Sequence, residues 1–415
     1  MVAVMLLVAC SSGEDAPENP PTPPTDPTES ASKHEIPVMF SMSSALFDDW
    51  TEEQRATRRT EEWNPPTGYD LYEKLYQGET YVNLPNLGRS TIDLFMTHDN
   101  AEGDAKTTEN PLHARLRYSP SATTDSKWKL VLPNNIEEDS VKQGNYYAYG
   151  FVPKDAADSA TIAQLPGSSK WADGAVLTIK GLKTVATDPC FIIGASHGPN
   201  DYNDGELTAG DFQFRLSRES DPPINYLYFL FDHLYSAFSI SMRVNGTYHA
   251  LRHIKLKAIY LQTETTSGVT PSKANVTITL NNKDNEGEKP IVEDITYTPA
   301  DNTPTDHQIF RDPAGYALTD EFSMFLGHFM PNSVSKLILT SVYDVYDTNT
   351  SEEYPDGNLI RKDCRATNTL LLSSLFNGQA VSTRGWKYKV KLTINPTYLY
   401  VMSDPDLDNP TVVVN

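Results

Sequence analysis

Side chains that could bind a metal ion occur in three short stretches of the chain. His249 and His253 are four residues apart and would share one face of a helix or a strand. The acidic run 404–408 has aspartates at the first, third and fifth positions of a calcium-binding loop, and residues 201–206 form a second acidic stretch. The histidines lack a third ligand, and the sixth and twelfth positions of the calcium-like run are asparagines instead of glycine and glutamate. We therefore expect no metal site and interpret both acidic stretches as polar turns.

The sequence shows no pattern of a catalytic nucleophile or of a phosphate-binding loop. It contains no G-x-S-x-G, no H-E-x-x-H and no glycine-rich loop that could hold a phosphate. Its cysteines are Cys10, Cys190 and Cys364, too few and too far apart for a disulfide framework or a cysteine zinc site. Cys190 and Cys364 lie in strand-like sequence, where we expect buried free thiols. The sequence predicts neither an enzyme nor a cofactor.

Cys10 stands where a different chemistry is expected, because it ends an apolar run. Residues 1–10 read MVAVMLLVAC, with small residues before the cysteine. Residues 7–10 resemble the bacterial lipobox, although no lysine or arginine precedes the run. That resemblance implies a signal peptide over residues 1–9, and acylation of the Cys10 sulfur and amino group that would anchor the protein in the outer membrane by lipid. A cysteine that ends the apolar run by coincidence is the alternative.

Residues 10–34 are predicted to be a disordered tether. They are rich in Pro, Ser, Thr and acidic residues and have almost no apolar residue, so they cannot bury enough surface to fold. Proline stiffens such a segment toward polyproline II. A lipid-anchored protein held off the membrane by this tether would lie in the periplasm or at the cell surface.

The net charge excludes one class of partner. The 415 residues include 34 Lys and Arg against 55 Asp and Glu, a net charge of −21. Nucleic-acid binding relies on basic groups that neutralise phosphates, so we expect no nucleic-acid partner. Tyrosine (22) outnumbers phenylalanine (15), and with 29 prolines the composition favours strands and turns.

The apolar pattern predicts short strands along almost the whole chain. Residues 90–96, 112–118 and 128–132 alternate or run apolar between turn signals, and no alternation of strands with helices appears. The most apolar stretch, residues 226–242, is interpreted as a buried strand or as a helix followed by a strand. Strands at such spacing are typical of sandwiches and barrels.

These elements predict an all-β protein of two tandem β-sandwich domains. The first would span residues 35–214 and the second residues 215–415, with terminal strands at 388–415. The boundary is placed at a stretch rich in Gly, Asp and Pro between residues 196 and 223.

A strand and a basic loop stand at the start of the first predicted domain. Residues 36–43 alternate, so that Ile36, Val38 and Phe40 share one face. The segment 50–64, WTEEQRATRRTEEWN, has the composition of an exposed loop that a trypsin-like protease can enter. Its arginines are Arg55, Arg58 and Arg59. A solvated charged turn is the alternative interpretation.

Five segments of the C-terminal half carry a resemblance to a known family. They are LTINPTYLYVMSDPDLDNPT at residues 392–411 and shorter stretches at residues 232–237, 251–257, 340–347 and 357–364. With them, most of residues 226–415 resembles the fimbrillin-like lipoproteins of Bacteroidales, the subunits of type V pili. In the N-terminal half the resemblance rests on the lipobox, the arginine loop and GNYYAYG at residues 144–150. Within the family, the chain looks most like the minor or tip subunits.

The resemblance implies two transthyretin-like, Greek-key sandwiches and a maturation step. An arginine-specific protease would cut the 50–64 loop, and the first strand with Ile36, Val38 and Phe40 would be lost. A strand of another fimbrial subunit would then fill the groove, because it satisfies the unpaired backbone groups and the apolar pockets left behind. The cut would also separate the folded body from the lipid on Cys10.

The donor strand of such a subunit would lie in its C-terminal tail. Two extended segments stand there, with the apolar residues Tyr398, Leu399, Tyr400, Val401, Val412, Val413 and Val414. Both could equally be ordinary strands of the second sandwich, since a tip subunit accepts a strand but has no neighbour to donate one to.

Together these inferences predict a structural subunit, minor or at the tip, of a type V fimbrium. It would be exported as an outer-membrane lipoprotein precursor, cut, and assembled at the cell surface, where it would contribute to adhesion to a host or bacterial surface ligand. The alternative is a surface glycan-binding lipoprotein that does not polymerise. That alternative needs exposed aromatic platforms, and the candidates are Trp50, Trp63, Trp128, Trp171 and Trp386.

Overall fold

The structure, a computed structural model, is described here over most of the chain between residues 33 and 394. The described residues are 33–44, 90–118, 128–184, 189–196, 212–217, 225–244, 246–265, 268, 270–282, 292–301, 306–318, 322–375, 380–385 and 387–394. Within these ranges the chain forms nineteen β-strands and two one-turn α-helices. The predicted all-β fold class is therefore confirmed. No helix of the described residues is long and apolar enough to cross a membrane.

Ten strands come before residue 234, where the chain passes from a first hydrophobic core to a second. They are β1 (Glu35–Ser44), β2 (Ile92–Thr97), β3 (Leu112–Tyr118), β4 (Trp128–Val131), β5 (Gly144–Val152), β6 (Ser159–Gln164), β7 (Gly174–Lys183), β8 (Cys190–Ser196), β9 (Gln213–Leu216) and β10 (Tyr226–His233). Short 3-10 helices lie at Glu138–Ser140, Lys154–Ala156 and Trp171–Asp173.

The remaining elements follow that crossing. They are β11 (Ser236–Val244), α1 (Gly246–His249), β12 (His253–Glu264), β13 (Lys273–Asn281), β14 (Val292–Pro299), β15 (Asp306–Ala317), β16 (Phe322–Phe329), β17 (Lys336–Tyr346), β18 (Leu359–Leu371), α2 (Leu372–Leu375) and β19 (Lys387–Ile394).

The strands form where the sequence alternates or is apolar throughout. In β3 the even-numbered residues are buried and those between them exposed, the pattern of a strand with one face on a core. β2 is buried at all of its positions. The stretch 226–242, predicted as one strand or as a helix and a strand, is instead two strands, because the chain turns at Leu234 and Tyr235 between β10 and β11. Both turn residues are buried, which hides the break from an apolar pattern.

The first sheet closes into a ring. Its strand order is β2-β3-β4-β1-β10-β8-β5-β9, and β2 also pairs with β5. The path from β2 through β3, β4, β1, β10, β8 and β5 therefore returns to β2. Strand β9 pairs with residues 144–147 of β5, beside the residues 151–152 that pair with β8.

A second sheet, of order β14-β13-β7-β6, packs on the same core as the ring. Leu177 and Ile179 of β7 and Val276 and Ile278 of β13 belong to one cluster with the buried ring residues. The aromatic side chains of that cluster include Phe151, Phe191, Phe214, Phe229 and Phe231. We call this cluster the first core.

The second core lies between two further sheets, of orders β16-β11-β19 and β15-β12-β17-β18. Phe238 of β11 packs edge-on against Phe329 of β16, with ring centroids 5.6 Å apart, and stacks on Tyr388 of β19 at 4.8 Å. Leu261 of β12 and Leu337 of β17 reach the same cluster from the facing sheet. Two sheets with one core between them form a sandwich.

The chain passes from the first core to the second at Leu234 and Tyr235, and it returns to the first for β13 and β14. Near the crossing, Arg384 Nη1 binds the carboxylate of Asp232 and donates to the His233 carbonyl at 2.9 Å. Asp232 is buried at the end of β10, and Arg384 precedes β19. The two cores are thus tied together by an ion pair whose carboxylate, that of Asp232, is buried. The domain division at residues 214 and 215 stays a prediction.

Candidate functional site: the first strand and its neighbours

β1 lies between β4 and β10 in the ring and pairs with both of them. Residues 35–38 pair with β4 in the antiparallel direction, and residues 39–44 pair with β10 in the parallel direction. The strand therefore changes partner halfway along its length. Because β4 and β10 are ring neighbours only through β1, the ring would open at this place without it.

The inward face of β1 is apolar, as the alternation of residues 36–43 predicts. Ile36 and Val38 are buried in the first core, Val38 completely. Phe40 is partly buried, and its ring centroid lies 4.8 Å from that of Trp128 and 5.3 Å from that of Phe229. Trp128 belongs to β4 and Phe229 to β10, so the Phe40 ring contacts side chains of both neighbouring strands.

A carboxylate marks the start of β1. Glu35 forms ion pairs with Arg117 of β3, at 3.1 Å from Nη2, and with Lys129 of β4, at 3.0 Å from Nζ. The Glu35 and Lys129 side chains are 17% and 19% exposed, so this contact is largely shielded from water. The sequence analysis missed Glu35, because its partners are far away along the chain and no local pattern connects them.

Hydrogen bonds outside the ladder hold the start of β1 in place. The Leu132 N–H donates to the His34 carbonyl at 2.8 Å, and the Glu138 N–H donates to the Lys33 carbonyl at 2.7 Å. His34 Nδ1 lies 2.7 Å from the Ile136 carbonyl oxygen. The segment before β1 is thus bound to the chain that follows β4.

β1 can be withdrawn as one piece only if the chain is cut after it. Residues 45–91 separate it from β2, and the predicted arginine loop lies in that stretch. Withdrawal would leave backbone donors and acceptors unpaired on β4 and β10 and would empty the pockets that hold Ile36, Val38 and Phe40. Such an edge is a template for another strand.

The other residues tied to export, cutting and donation lie outside the described part of the chain. These residues are Cys10, Arg55, Arg58, Arg59, Tyr398, Leu399, Tyr400, Val401, Val412, Val413 and Val414. The acidic stretches 201–206 and 404–408 lie outside it as well.

The two histidines considered as metal ligands are neighbours, with ring centroids 5.3 Å apart. His253 Nδ1 lies 3.2 Å from the carbonyl oxygen of Asp356, so a backbone group occupies one ring nitrogen. No group of three or more metal-ligating side chains lies together among the described residues. A third ligand for His249 and His253 is thus not found there.

The two cysteines of the described residues are buried thiols that are not joined in a disulfide, as predicted. Cys190 lies in β8 and Cys364 in β18, on different cores. Burial raises the pKa of the Cys364 thiol, which disfavours the reactive thiolate.

The tryptophans considered as sugar platforms divide into two groups. Trp128 and Trp171 are buried in the first core, 7% and 6% exposed, and neither offers a ring face to a ligand. The others, Trp50, Trp63 and Trp386, lie outside the described residues.

Comparison with known proteins gives structural matches only. No family model and no curated protein sequence matches the chain. A fimbrial protein from Bacteroides vulgatus ATCC 8482 is similar over 73% of this chain and 88% of its own, with 13% identity and a TM-score of 0.31. A proposed cell adhesion protein from Bacteroides uniformis ATCC 8492 is similar over 74% and 87%, with 14% identity and a TM-score of 0.31.

A third solved structure covers more of both chains. It is a proposed cell adhesion protein from Bacteroides ovatus ATCC 8483, similar over 88% of this chain and 94% of its own, with 11% identity and a TM-score of 0.32. TM-scores of this size do not carry a function from those proteins to this one.

Proposed function

We propose that this protein is a structural subunit, minor or at the tip, of a cell-surface fimbrium, and that it assembles by exchange of β1 for a strand of another subunit. It is exported as an outer-membrane lipoprotein precursor, cut in the arginine loop, and contributes to adhesion to a surface ligand. Its partners are other subunits, the arginine-specific protease and, before cutting, the membrane lipid.

One observation carries this proposal: β1 is the first of the seven ring strands along the chain and the one that joins β4 to β10, so the ring opens when it leaves. It follows the predicted tether and precedes the predicted cleavage loop, so one cut separates it from the body of the protein. A cut at a later point of the chain would separate β1 together with one or more further ring strands, so it would not release a single strand.

The physical consequence of losing β1 is an adhesive groove. Fully burying an Ile, Val or Phe side chain contributes about 1.5–3 kcal/mol, so the pockets of Ile36, Val38 and Phe40 lose several kcal/mol when they are emptied. The edges of β4 and β10 lose their ladder partners at the same time. An incoming strand with apolar residues at alternate positions restores both contributions.

The sequence supplies the other steps. The lipobox-like residues 7–10 and the predicted tether 10–34 support an outer-membrane lipoprotein precursor. A cut after Arg55, Arg58 or Arg59 removes the lipid together with β1, so the same step frees the subunit and opens its groove.

The cleavage step is tested with the variant Arg55→Ala/Arg58→Ala/Arg59→Ala. We expect the wild-type protein in surface filaments to begin after one of these arginines and the variant to stay uncut and absent from filaments. Arg365→Ala, an exposed arginine of β18, is the matched control and should be cut and incorporated normally. Normal incorporation of the triple variant would show that this cut is not needed for assembly.

The opening of the ring is tested by amide hydrogen exchange on the cut protein. We expect the amides of β4 and β10 that donate to β1 to exchange at least about a hundredfold faster once β1 has left, because these hydrogen bonds are lost and global opening is no longer needed. Strands β16 and β19 of the second core serve as the internal control and should keep their protection. Unchanged protection of β4 and β10 would contradict the proposed groove.

A further inference from the structure

We propose that the groove left by β1 selects its donor strand by a carboxylate. The incoming strand carries an acidic residue immediately before the first of three alternating apolar residues, and it belongs to a subunit of different sequence, not to a second copy of this protein. This inference rests on the proposed strand exchange and names the partner that the groove accepts.

The acidic position follows from the two cations that hold Glu35. Arg117 and Lys129 are directly opposite each other in the β3–β4 ladder. Like charges at directly opposite positions destabilise a sheet, and here the Glu35 carboxylate lies within 3.1 Å of one and 3.0 Å of the other. When β1 leaves, the cation pair loses this carboxylate. A donor with Asp or Glu at the same position restores it.

The apolar positions follow from the pockets of β1. Counting from Glu35, the side chains one, three and five residues on are Ile36, Val38 and Phe40. Val38 is completely buried, so its pocket accepts a side chain of similar size and resists a larger one. The Phe40 ring lies between Trp128 and Phe229, which suits a large or aromatic side chain. The position between Ile36 and Val38 is occupied by an exposed proline, Pro37, so its side chain is free to vary.

The tail of this chain does not match that pattern. In residues 397–402, TYLYVM, the acidic position is Thr397, and tyrosines replace Ile36 and Val38. In the other tail segment, Asp408 as the acid would place Asn409 and Thr411 on the apolar face. Donation by the tail of a second copy would therefore fail in one of two ways. The first segment lacks the carboxylate and has side chains too large for the pockets, and the second puts polar side chains into them. This is why we infer a different chain as the donor.

The test uses the full chain with a site-specific protease sequence in place of residues 55–59, so that it does not depend on the natural cleavage site. After cutting, the protein is mixed with excess ten-residue peptides, and displacement of the N-terminal fragment is measured by mass spectrometry. The peptides are EIPVMFSMSS, its Glu35→Gln form, and the tail sequence TYLYVMSDPD. We expect exchange of the first peptide, about tenfold weaker exchange of the second, and no exchange of the third.

A protein variant locates the cause. In Arg117→Gln/Lys129→Gln, we expect the native and Gln peptides to bind equally. The control is Glu137→Gln, which removes an exposed ion pair of 3.7 Å with Lys33 near β1 and should leave the difference between the peptides intact.

The outcomes separate the two levels of the proposal. Equal exchange of the native and Gln peptides by the unmodified groove would overturn the acidic selection and leave strand exchange standing. Exchange of the tail peptide as strong as that of the native one would overturn the inference of a different donor chain. If the native peptide itself did not exchange, strand exchange at β1 would be wrong, and the selection with it.

Discussion

The first strands of the two cores, β1 and β11, occupy equivalent places but are held differently. Each has one antiparallel neighbour and one parallel neighbour: β4 and β10 for β1, β16 and β19 for β11. Strand β11 pairs with both neighbours over the same residues, 237–242. In β1 the two pairings follow one another, so each residue of the strand is paired on one side only.

The two strands also differ in the length of the segment that connects each of them to its neighbour along the chain. Strand β11 follows β10 after only Leu234 and Tyr235, both buried. Strand β1 is separated from the next described strand, β2, by residues 45–91. A strand with half the ladder contacts and a long connection is the one that a single cut can release. The one-sided pairing of β1 and its long separation from β2 are therefore the reasons why we expect strand exchange at the first core and not at the second.

The largest predicted effect compares one aromatic residue in each strand. Phe238→Ala should lower the free energy of unfolding of the uncut protein by about 4 kcal/mol, because Phe238 is fully buried against Phe329 and Tyr388. Phe40→Ala should cost about 2 kcal/mol, because Phe40 is only partly buried. Urea unfolding followed by circular dichroism measures both values.

The control for this pair is Leu251→Ala. Leu251 is 50% exposed, so its loss should change the free energy of unfolding by less than about 0.5 kcal/mol. A larger loss for Phe40→Ala than for Phe238→Ala would mean that β1 is held at least as firmly as β11, and the comparison would fail.

The next effect concerns the tie between the two cores. Arg384→Gln leaves the buried carboxylate of Asp232 without its cation, and because Arg384 is partly exposed we expect a loss of about 2 kcal/mol, less than for a fully buried ion pair. Because Asp232 lies at the end of β10, next to the turn, and Arg384 precedes β19, the variant should also separate unfolding into two transitions, one for each core. The measurement is urea unfolding with one probe in each core, and Lys33→Gln, at an ion pair with Glu137 whose side chains are both exposed, is the control. A single transition at the wild-type urea midpoint would show that the ion pair does not couple the cores.

The sequence predicted local features of the fold well and long-range ones poorly. The alternation in β3 and the apolar face of β1 were both readable, because burial on one face of a strand imposes a period of two. The pairing of β13 with β7 was not readable, since about ninety residues separate the partners and no local pattern names them. The break between β10 and β11 was missed because its turn residues are as apolar as the strands.

The candidate site shows the same division. Ile36, Val38 and Phe40 were identified from their alternation together with the family resemblance. Glu35 was not, because a glutamate at a strand end is ordinary until Arg117 and Lys129 are brought beside it by the β3–β4 pairing. A search for a carboxylate next to three alternating apolar residues would have found Glu35. It would not have identified Arg117 and Lys129 as its partners.

The smallest predicted effect is a difference in alkaline stability between the cores. Burial, with a contribution from the Asp104 carboxylate, raises the pKa of Tyr147 to about 12, and burial also raises the pKa values of Tyr149 and Tyr235 in the same core. Below about pH 10 these tyrosines are neutral in both states and have no pH-dependent effect. Between about pH 10 and 12 the unfolded chain loses the protons that the folded first core keeps, so stability falls as pH rises.

In the second core, burial raises the pKa of Tyr343. Fewer tyrosines with a raised pKa therefore lie in the second core than in the first, among the described residues. In the Arg384→Gln variant, whose two cores are expected to unfold separately, we therefore expect the urea midpoint of the first core to fall more steeply between about pH 10 and 12 than that of the second, with tyrosinate absorbance rising in the same transition. Tyr147→Phe should reduce the slope for the first core, because it removes one proton that the folded state retains. An equal slope for both cores, or loss of the second core first, would show that these buried hydroxyls do not distinguish them, and that the difference between β1 and β11 lies in strand pairing alone.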